Sequence, residues 1–193
     1  MSKRFPFRTL PDYLAPNLDL ILIGINPGLY SVAQGHYFAR STSRFWPAFS
    51  RSRLSEKVRR GLGTDLLGPV HDRELLRFGI GLTDLVKRPS GNASEIGPAE
   101  FAEWAPRMRR KLLRLQPRVA CFHGLTAYRP FLKFVWDSAE VPVLGLQAKR
   151  IGTARIYVVP NPSPANAHFT PADMTRWYDL LADEIARPDV DAD

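Results

Sequence analysis

The sequence predicts an α/β fold, a three-layer α/β/α sandwich around a central, mainly parallel sheet of four to five strands. Three observations predict it. Short apolar runs of strand length alternate with longer amphipathic stretches. The runs are nearly continuous in apolar residues, which is typical of strands buried on both faces. The chain has 193 residues, 45% of them hydrophobic, which suffices for one full core and excludes a disordered chain.

The first half of the chain contains two predicted strands. Residues 18–25 form the first strand, and residues 26–44, rich in Gly, Ser and aromatic residues, form a loop. The second strand covers residues 78–82 and ends in Thr83-Asp84-Leu85-Val86. Short helices are predicted near residues 45–49, 54–60 and 72–76.

The second half alternates helices and strands more regularly. The predicted elements are helix 98–115, strand 119–123, helix 125–136, a short strand or hairpin arm at 142–150, strand 156–159 and helix 171–186. Pro98 suits a first helical turn and Thr170 suits an N-cap, whereas Pro130 is expected to break its helix. We find no internal repeat. We therefore expect one domain over residues 1–193, with a core at about 18–186, a loose basic N-terminus and a loose acidic tail.

The charge of the chain points to a polyanionic partner. The formal net charge is +8 and the isoelectric point is about 10.0, which favours nucleic acid. One basic cluster covers residues 51–60 and another covers residues 107–118, where the charges also suit the solvated face of a helix. A generally basic protein with no such partner is the alternative.

Cysteine, histidine and hydropathy exclude several classes of protein. Cys121 is the one cysteine and lies in an apolar run, so it predicts a buried thiol and excludes an internal disulfide or an iron–sulfur cluster. Four histidines without a close ligand pair predict no metal site, and we expect no cofactor. No apolar run reaches membrane-spanning length and the N-terminus lacks an apolar signal core, so we expect a cytoplasmic protein without membrane contact.

Two polar turns that follow buried strands are expected to form the walls of one pocket. Gly24-Ile25-Asn26-Pro27-Gly28 follows the first strand, and Asn161-Pro162-Ser163-Pro164 follows the strand at 156–159. In an open α/β sheet, ligands bind outside the carboxyl ends of the strands. The two turns are 135 residues apart, so the fold must bring them together.

An ordered set of motifs resembles one enzyme family over residues 18–185. The set is Gly24-Ile25-Asn26-Pro27-Gly28-Leu29, Phe38-Ala39, Arg44-Phe45-Trp46, Gly81-Leu82-Thr83-Asp84-Leu85-Val86 with Arg88-Pro89, and Asn161-Pro162-Ser163. It is similar to the mismatch-specific uracil/thymine-DNA glycosylase branch of the uracil-DNA glycosylase superfamily. The resemblance implies a uracil-DNA glycosylase-like fold. It also implies a monomeric repair enzyme that flips uracil out of double-stranded DNA and hydrolyses its N-glycosidic bond.

The resemblance also implies residue roles. Asn26 matches the residue that positions the attacking water, and Phe38 matches the aromatic that stacks on the flipped base. Ile25 and the loop around His36 match positions that line the base pocket, and Ser31 lies on the side expected to affect tolerance of a 5-methyl group. The positions matched to DNA contacts or to the duplex wedge are Asn161, Ser163, Pro164, Ala165, Asn166 and His168. Lys87 and Arg88 are expected to contact the DNA backbone, with a free surface as the alternative.

The chain departs from the family pattern at two places. Pro164, Ala165 and Ala167 replace the glycine, leucine and arginine of the usual wedge, so His168 or Phe169 is expected to take over that role. Asp84 stands where the bacterial pattern has lysine. We hypothesise that Asp84 supplies the carboxylate that Asn26 lacks, as a general base or as support for the sugar cation. The alternative is a cap of the 83–86 turn.

Two other functions remain open from the sequence. A non-catalytic DNA-binding module on the same fold would keep the basic surface without needing Asn26, Phe38 and the second motif together. A nucleotide-binding enzyme is a weaker alternative, because the chain has no G-x-G-x-x-G or G-x-x-x-x-G-K-[ST] motif.

Overall fold

The central sheet has five strands in the order β2-β1-β3-β5-β4. The structure is a computed structural model that describes residues 6–166 and 168–188. The strands are β1 (Leu20–Gly24), β2 (Ile80–Asp84), β3 (Val119–His123), β4 (Gly145–Ile151) and β5 (Ala154–Val159). Strands β2, β1, β3 and β5 are parallel neighbours, and β4 pairs with β5 in the antiparallel sense. The predicted mainly parallel α/β/α sandwich is confirmed.

Within the described residues, six helices and four short 3-10 turns precede, connect or follow the strands. The helices are α1 (Leu29–Gln34), α2 (Phe45–Arg51), α3 (Glu56–Leu62), α4 (Pro98–Leu115), α5 (Leu125–Trp136) and α6 (Pro171–Ala186). The 3-10 turns are Arg53–Ser55, Pro69–His71, Glu74–Phe78 and Ala93–Glu95. Helix α1 lies where a loop was predicted, and α5 continues through Pro130, where a break was predicted. Both predictions were wrong because tertiary packing overrode local propensity.

The sheet carries a hydrophobic cluster on each face. Residues of α2 and α6, among them Phe45 and Tyr178, pack against one face, and residues of α4 and α5, among them Met108 and Phe131, pack against the other. Cys121 is fully buried. Because side chains alternate along a strand, the face each strand residue occupies is fixed by its position.

Some predictions fall outside the described residues. These are the extremes of the predicted basic N-terminus and acidic tail, at residues 1–5 and 189–193, and the substitution at Ala167. Among the residues that the structure does describe, none of the helices combines the length and apolar character needed to cross a membrane.

Candidate active site

Three neighbouring strands end side by side on one face of the sheet, at Asp84, Gly24 and His123. The register pairs Gly24 with Asp84, and it pairs Ile23 with Phe122, so His123 follows on the other side of Gly24. All three continue the row of alternate residues that packs into the cluster beneath α2 and α6. A Cβ atom on Gly24 would lie 2.5 Å from Asp84 Oδ1. Glycine therefore allows the Asp84 carboxyl to pack against the end of β1, where any larger residue would displace it.

Two buried polar atoms, one on either side of Gly24, lack partners. Asp84 Oδ2 and His123 Nδ1 are buried and have no hydrogen-bond partner among the described residues. The other ring nitrogen of His123, Nε2, lies 3.1 Å from the Tyr178 hydroxyl. Burial lowers the pKa of His123 to about 3, so its imidazole is neutral at neutral pH. Unsatisfied buried polar atoms cost stability, and two of them on either side of one strand end indicate a place that a polar ligand completes.

Asp84 is a buried carboxyl group with an ammonium group nearby. Asp84 is 5% exposed, and Lys87 Nζ lies 3.9 Å from Asp84 Oδ2. Burial raises the pKa of Asp84 to about 6, against the opposing charge of Lys87. The Asp84 carboxyl group therefore changes between its neutral and ionised forms at a pH of about 6. Its unpartnered Oδ2 atom gives no support to the alternative that it caps the 83–86 turn.

Phe38 forms an aromatic wall beside this row. Its ring stacks on Phe45 at 4.0 Å between centroids and meets His123 edge-on at 5.4 Å. Its backbone has φ of 54°, in the left-handed region that bulky residues rarely adopt. Strain of this kind persists only where surrounding contacts enforce it, and it concentrates at ligand-binding positions.

Asp72 holds the backbone just before Phe38, and no pattern in the sequence predicted that role. This carboxylate is 1% exposed and accepts a hydrogen bond from the backbone N–H of Tyr37 at 2.9 Å. Its other oxygen lies 3.2 Å from His36 Nδ1. The Ser31 hydroxyl accepts from the backbone N–H of Ala39 at 3.3 Å. His36 and Ser31, which were predicted to contact the substrate, thus hold both sides of Phe38 in this structure.

Asn26 is held by three acceptors, all of them on its amide nitrogen. Asn26 Nδ2 donates to Ser90 Oγ at 2.8 Å, to the Arg88 carbonyl at 2.9 Å and to the Pro27 carbonyl at 3.3 Å. Ser90 Oγ donates its own proton to the Asn92 carbonyl, so it can only accept from Asn26. This network orients the amide and leaves Asn26 Oδ1 as the atom that can hold a water molecule.

The second turn is built by side-chain hydrogen bonds to its own backbone. Asn161 Oδ1 accepts from the backbone N–H of Ser163 at 2.9 Å, and Ser163 Oγ accepts from that of Ala165 at 3.3 Å. Asn166 Nδ2 donates to the Asn161 carbonyl at 3.0 Å. These bonds leave Pro164 and Ala165 exposed at the tip. Asn161 and Asn166 therefore shape the turn itself.

A cavity of about 640 Å³ brings the two turns together on the other face of the sheet. Ile25 lines it from the first turn, and Asn161, Ser163, Ala165 and Asn166 line it from the second. Asn26, His36, Phe38 and Asp84 lie outside this cavity. The site thus extends across the carboxyl edge of the sheet.

Glycine is required where the second turn approaches β3. Gly124 has φ of 94°, and a Cβ atom there would lie 3.0 Å from Asn161 Cβ.

Beyond the turn, His168 is exposed, whereas Phe169 is half-buried and packs against the core. Of the two residues expected to act as the wedge, only His168 has a side chain directed to solvent.

Arg44, which precedes α2, holds the second turn, a role that sequence reasoning missed. Its guanidinium donates to the carbonyls of Ser163 and Asn166, both at 2.5 Å, and to that of Phe169. Its backbone N–H also donates to the Pro162 carbonyl at 3.1 Å. One side chain next to the Phe38 loop therefore holds the whole second turn in place.

Replacing Arg44 should loosen this turn without disturbing the sheet. We expect Arg44→Lys to accelerate amide exchange over residues 163–166 about tenfold or more, because an ammonium group cannot reproduce three charge-assisted hydrogen bonds. Exchange in β5 should stay unchanged. Hydrogen exchange followed by mass spectrometry measures both segments. Arg53→Lys, which alters an ion pair with Asp183 far from the turn, is the matched control. Unchanged protection of residues 163–166 would show that Arg44 does not hold the turn.

Lys87 is buried in an ion pair, so the structure gives no support to its predicted contact with the DNA backbone. Its side chain is 4% exposed, and its Nζ atom lies 3.0 Å from Asp12 Oδ1 as well as near Asp84. The Arg88 guanidinium pairs with both carboxylate oxygens of Glu100 at 2.7 and 2.9 Å and donates to the Glu95 carbonyl. Arg88 therefore fastens the loop after β2 to α4, and its contact with the DNA backbone stays a prediction.

The buried charge at Asp84 should cost stability above pH 6. A carboxyl with a raised pKa favours the folded state below its unfolded pKa, and that advantage is lost as the pH rises through the folded value. Between a usual value of 3.8 and about 6, the loss is roughly 3 kcal/mol. We therefore expect the stabilisation by Asp84→Asn, relative to wild type, to grow by about 2 kcal/mol between pH 4 and pH 7.5. Urea unfolding at the two pH values measures it.

Asp12→Asn is a matched control of opposite sign. Burial alone would raise the pKa of Asp12, but the charges of Lys87 and Lys111 outweigh burial and lower it. Its contribution to stability is therefore present above its unfolded pKa and is lost at lower pH. Asp12→Asn should destabilise the protein at pH 7.5. The same pH trend in both variants would contradict the assigned environment of Asp84.

The site contains no obvious metal-binding arrangement. Within residues 6–166 and 168–188, no group of three or more His, Cys, Asp or Glu side chains is placed to hold a metal ion.

Comparisons with known proteins give the same fold and identify the family. The sequence model of the uracil DNA glycosylase superfamily matches residues 11–182. A G/U mismatch-specific uracil DNA glycosylase from Schizosaccharomyces pombe is 29% identical over 182 residues, which are 92% of this chain and 54% of that protein. The chain thus spans about half the length of this curated relative.

A solved structure shares the fold. It is the solution NMR structure of a candidate uracil DNA glycosylase from Methanosarcina acetivorans, with a TM-score of 0.55 and 21% identity. The match covers 92% of this chain and 97% of that one. The family match covers most of the chain, including both turns and all the strands between them. The chain therefore belongs to the uracil DNA glycosylase superfamily.

Proposed function

We propose that the protein is a monofunctional DNA-repair glycosylase. It removes uracil, or another mismatched or damaged pyrimidine, from double-stranded DNA and leaves an abasic site. One observation carries the proposal: Asp84 and His123, which lie on either side of Gly24 and each have an unpartnered polar atom, stand beside Phe38, whose backbone is strained. A flat heterocycle with polar edges matches an aromatic ring beside two such polar groups.

Base flipping explains how a base can reach groups that lie inside the protein. The glycosidic bond of a paired base is inaccessible within the stack, so the nucleotide must rotate out, at a cost of a few kcal/mol that is smallest for a mismatch. Phe38 then stacks on one face of the base. Asp84 and His123 offer hydrogen bonds to its edge from opposite sides of Gly24.

The hydrolytic step uses a water molecule at Asn26. The water oxygen bonds to C1′ of the sugar while the C1′–N1 bond breaks and its electron pair leaves with the base. The water loses a proton to the departing base or to a carboxylate. Asn26 is neutral and cannot accept that proton, so its Oδ1 atom orients the water. We assign the carboxylate role to Asp84, which in its ionised form can act as the base or stabilise the cationic sugar.

The exposed residues of the second turn and the residue just after it contact the DNA duplex. Pro164, Ala165 and His168 face solvent, and His168 is the candidate for the wedge that fills the vacated position. The small side chains at the tip favour relaxed reading of the opposite base. The proposal also includes action as a monomer, bound to DNA in the cytoplasm.

A series of oligonucleotides tests the proposal. Labelled DNA with uracil opposite guanine, opposite adenine and in a single strand is incubated with excess protein, and base release is followed as alkali-labile cleavage. We expect release opposite guanine, and release from the other two if the tip has relaxed specificity. Binding to all three without release would favour the non-catalytic DNA-binding module.

A further inference from the structure

A groove lies along helix α4, away from Gly24. It is bounded by α4 on one side and by the segment of residues 7–12 on the other, and its volume is about 880 Å³. Five cationic side chains and one carboxylate line it. These are Lys87, Arg107, Arg110, Lys111, Arg114 and Asp12. No described feature of the glycosylase site uses this groove.

The carboxylate in the groove is already neutralised. Asp12 accepts from Lys87 Nζ at 3.0 Å and from Lys111 Nζ at 2.6 Å, and these charges lower its pKa despite burial. Arg110 and Arg114 are exposed, and neither is within ion-pair distance of a carboxylate among the described residues. The groove therefore presents surplus positive charge to the solvent, as a site for a polyanion does.

The spacing of the arginines suits one nucleic-acid strand. At 1.5 Å of rise per residue, Arg110 and Arg114 are about 6 Å apart along α4. This separation allows the two guanidinium groups to contact neighbouring phosphates of one extended strand. Because the groove has a wall on each side, it admits a single strand more readily than a duplex.

The groove is continuous with the carboxyl edge of the sheet. Leu85 and Lys87 line it, and they directly follow Asp84, the last residue of β2. Lys87 therefore contacts the groove while its ammonium lies 3.9 Å from Asp84. A strand that passes the site at this edge can continue along α4.

We propose that this groove binds the phosphate backbone of a short stretch of single-stranded DNA. Arg110 and Arg114 supply the phosphate contacts, and Lys87 and Lys111 neutralise Asp12 beneath them. The choice of DNA rests on the proposed function, but binding in the groove does not require base release. The groove would retain the protein on unpaired DNA beside its substrate.

The test measures binding of labelled oligothymidylate by fluorescence anisotropy over a range of salt concentrations. Each phosphate contact contributes about 0.7 to the salt slope of single-strand binding. The double variant Arg110→Ala/Arg114→Ala should therefore lower the slope by about 1.4 and weaken binding about 25-fold at 0.1 M salt. The control Lys57→Ala/Arg60→Ala on α3 removes the same charge elsewhere and should leave both quantities unchanged.

Other outcomes would overturn the inference. Equal losses in the two double variants would show that only net charge matters. An equal loss with undamaged duplex would make the groove a duplex surface, and stronger binding of oligoglutamate than of oligothymidylate would make it a site for an acidic protein. Uracil release from a short U:G duplex is measured in parallel. Active protein without an Arg110/Arg114 effect on strand binding defeats this inference alone, whereas groove binding without any release defeats the proposed function alone.

Discussion

Asn26→Ala is expected to lower the single-turnover rate of uracil release about a hundredfold or more. The side chain orients the attacking water through Oδ1 only because three acceptors fix its Nδ2 atom. Misplacement of a reacting group by about 1 Å can cost a hundredfold in rate. The variant should bind uracil-containing DNA as the wild type does, because no DNA contact is removed. Rapid-quench kinetics with excess protein measures the rate, and anisotropy measures the binding.

Two further substitutions separate orientation from simple loss of the side chain. Ser90→Ala removes one of the three acceptors and should lower the rate about tenfold, between wild type and Asn26→Ala. Asn26→Asp should not be faster than wild type, although it introduces a carboxylate. The Pro27 and Arg88 carbonyls and Ser90 Oγ would then face a group without a proton to donate. A faster Asn26→Asp variant, or a Ser90→Ala variant at the wild-type rate, would contradict the orienting role.

Asp84→Asn is expected to lower the rate about a hundredfold and to remove most of its dependence on pH near 6. Because burial raises the pKa of Asp84 to about 6, the ionised form that can act as a base dominates only above that value. The wild-type rate should therefore rise with pH through about 6 and then level off. A general base contributes typically 10²–10⁴-fold, which sets the expected size. Single-turnover rates between pH 5 and pH 8 measure the profile.

The sign of the pH effect identifies the role of Asp84. A wild-type rate that falls as the pH rises through 6 would mean that the neutral carboxyl is the active form, reading the base edge as a hydrogen-bond donor. A near-wild-type rate for Asp84→Asn, with an unchanged profile, would leave Asp84 without a role in catalysis. The stability gain at pH 7.5 should appear in either case, because it depends on the raised pKa of Asp84 in the folded state and not on a role in catalysis.

The strands and the polar turns that follow them could be predicted from the sequence, because each depends on local signals. Continuous apolar runs marked β1, β3 and β5, and Pro98 and Thr170 marked the starts of α4 and α6. Helix α1 could not be predicted, because six residues among Gly, Ser and aromatic residues carry too little periodicity. Its formation depends on tertiary contacts such as the hydrogen bond from Leu29 N–H to the Ser90 carbonyl.

The arrangement of the site depends on register and on distant partners, which local patterns do not encode. The sequence placed Asp84 after a strand, but only the register of β1 against β2 and β3 sets Gly24 between Asp84 and His123. The contacts of Asp72 with His36 and of Arg44 with the second turn span 36 and more than 100 residues. The burial of Lys87 could not be predicted for the same reason, since its partner Asp12 precedes the first strand.

The most direct measurement is the analysis of products from a U:G duplex incubated with the wild-type protein. Free uracil should appear in an amount equal to the abasic strand. That strand should stay intact until treated with alkali, and borohydride should trap no covalent protein–DNA complex. This result would establish a hydrolytic, monofunctional glycosylase. Bound DNA without free uracil from any of the uracil substrates would contradict the proposed activity and leave a DNA-binding protein of the same fold.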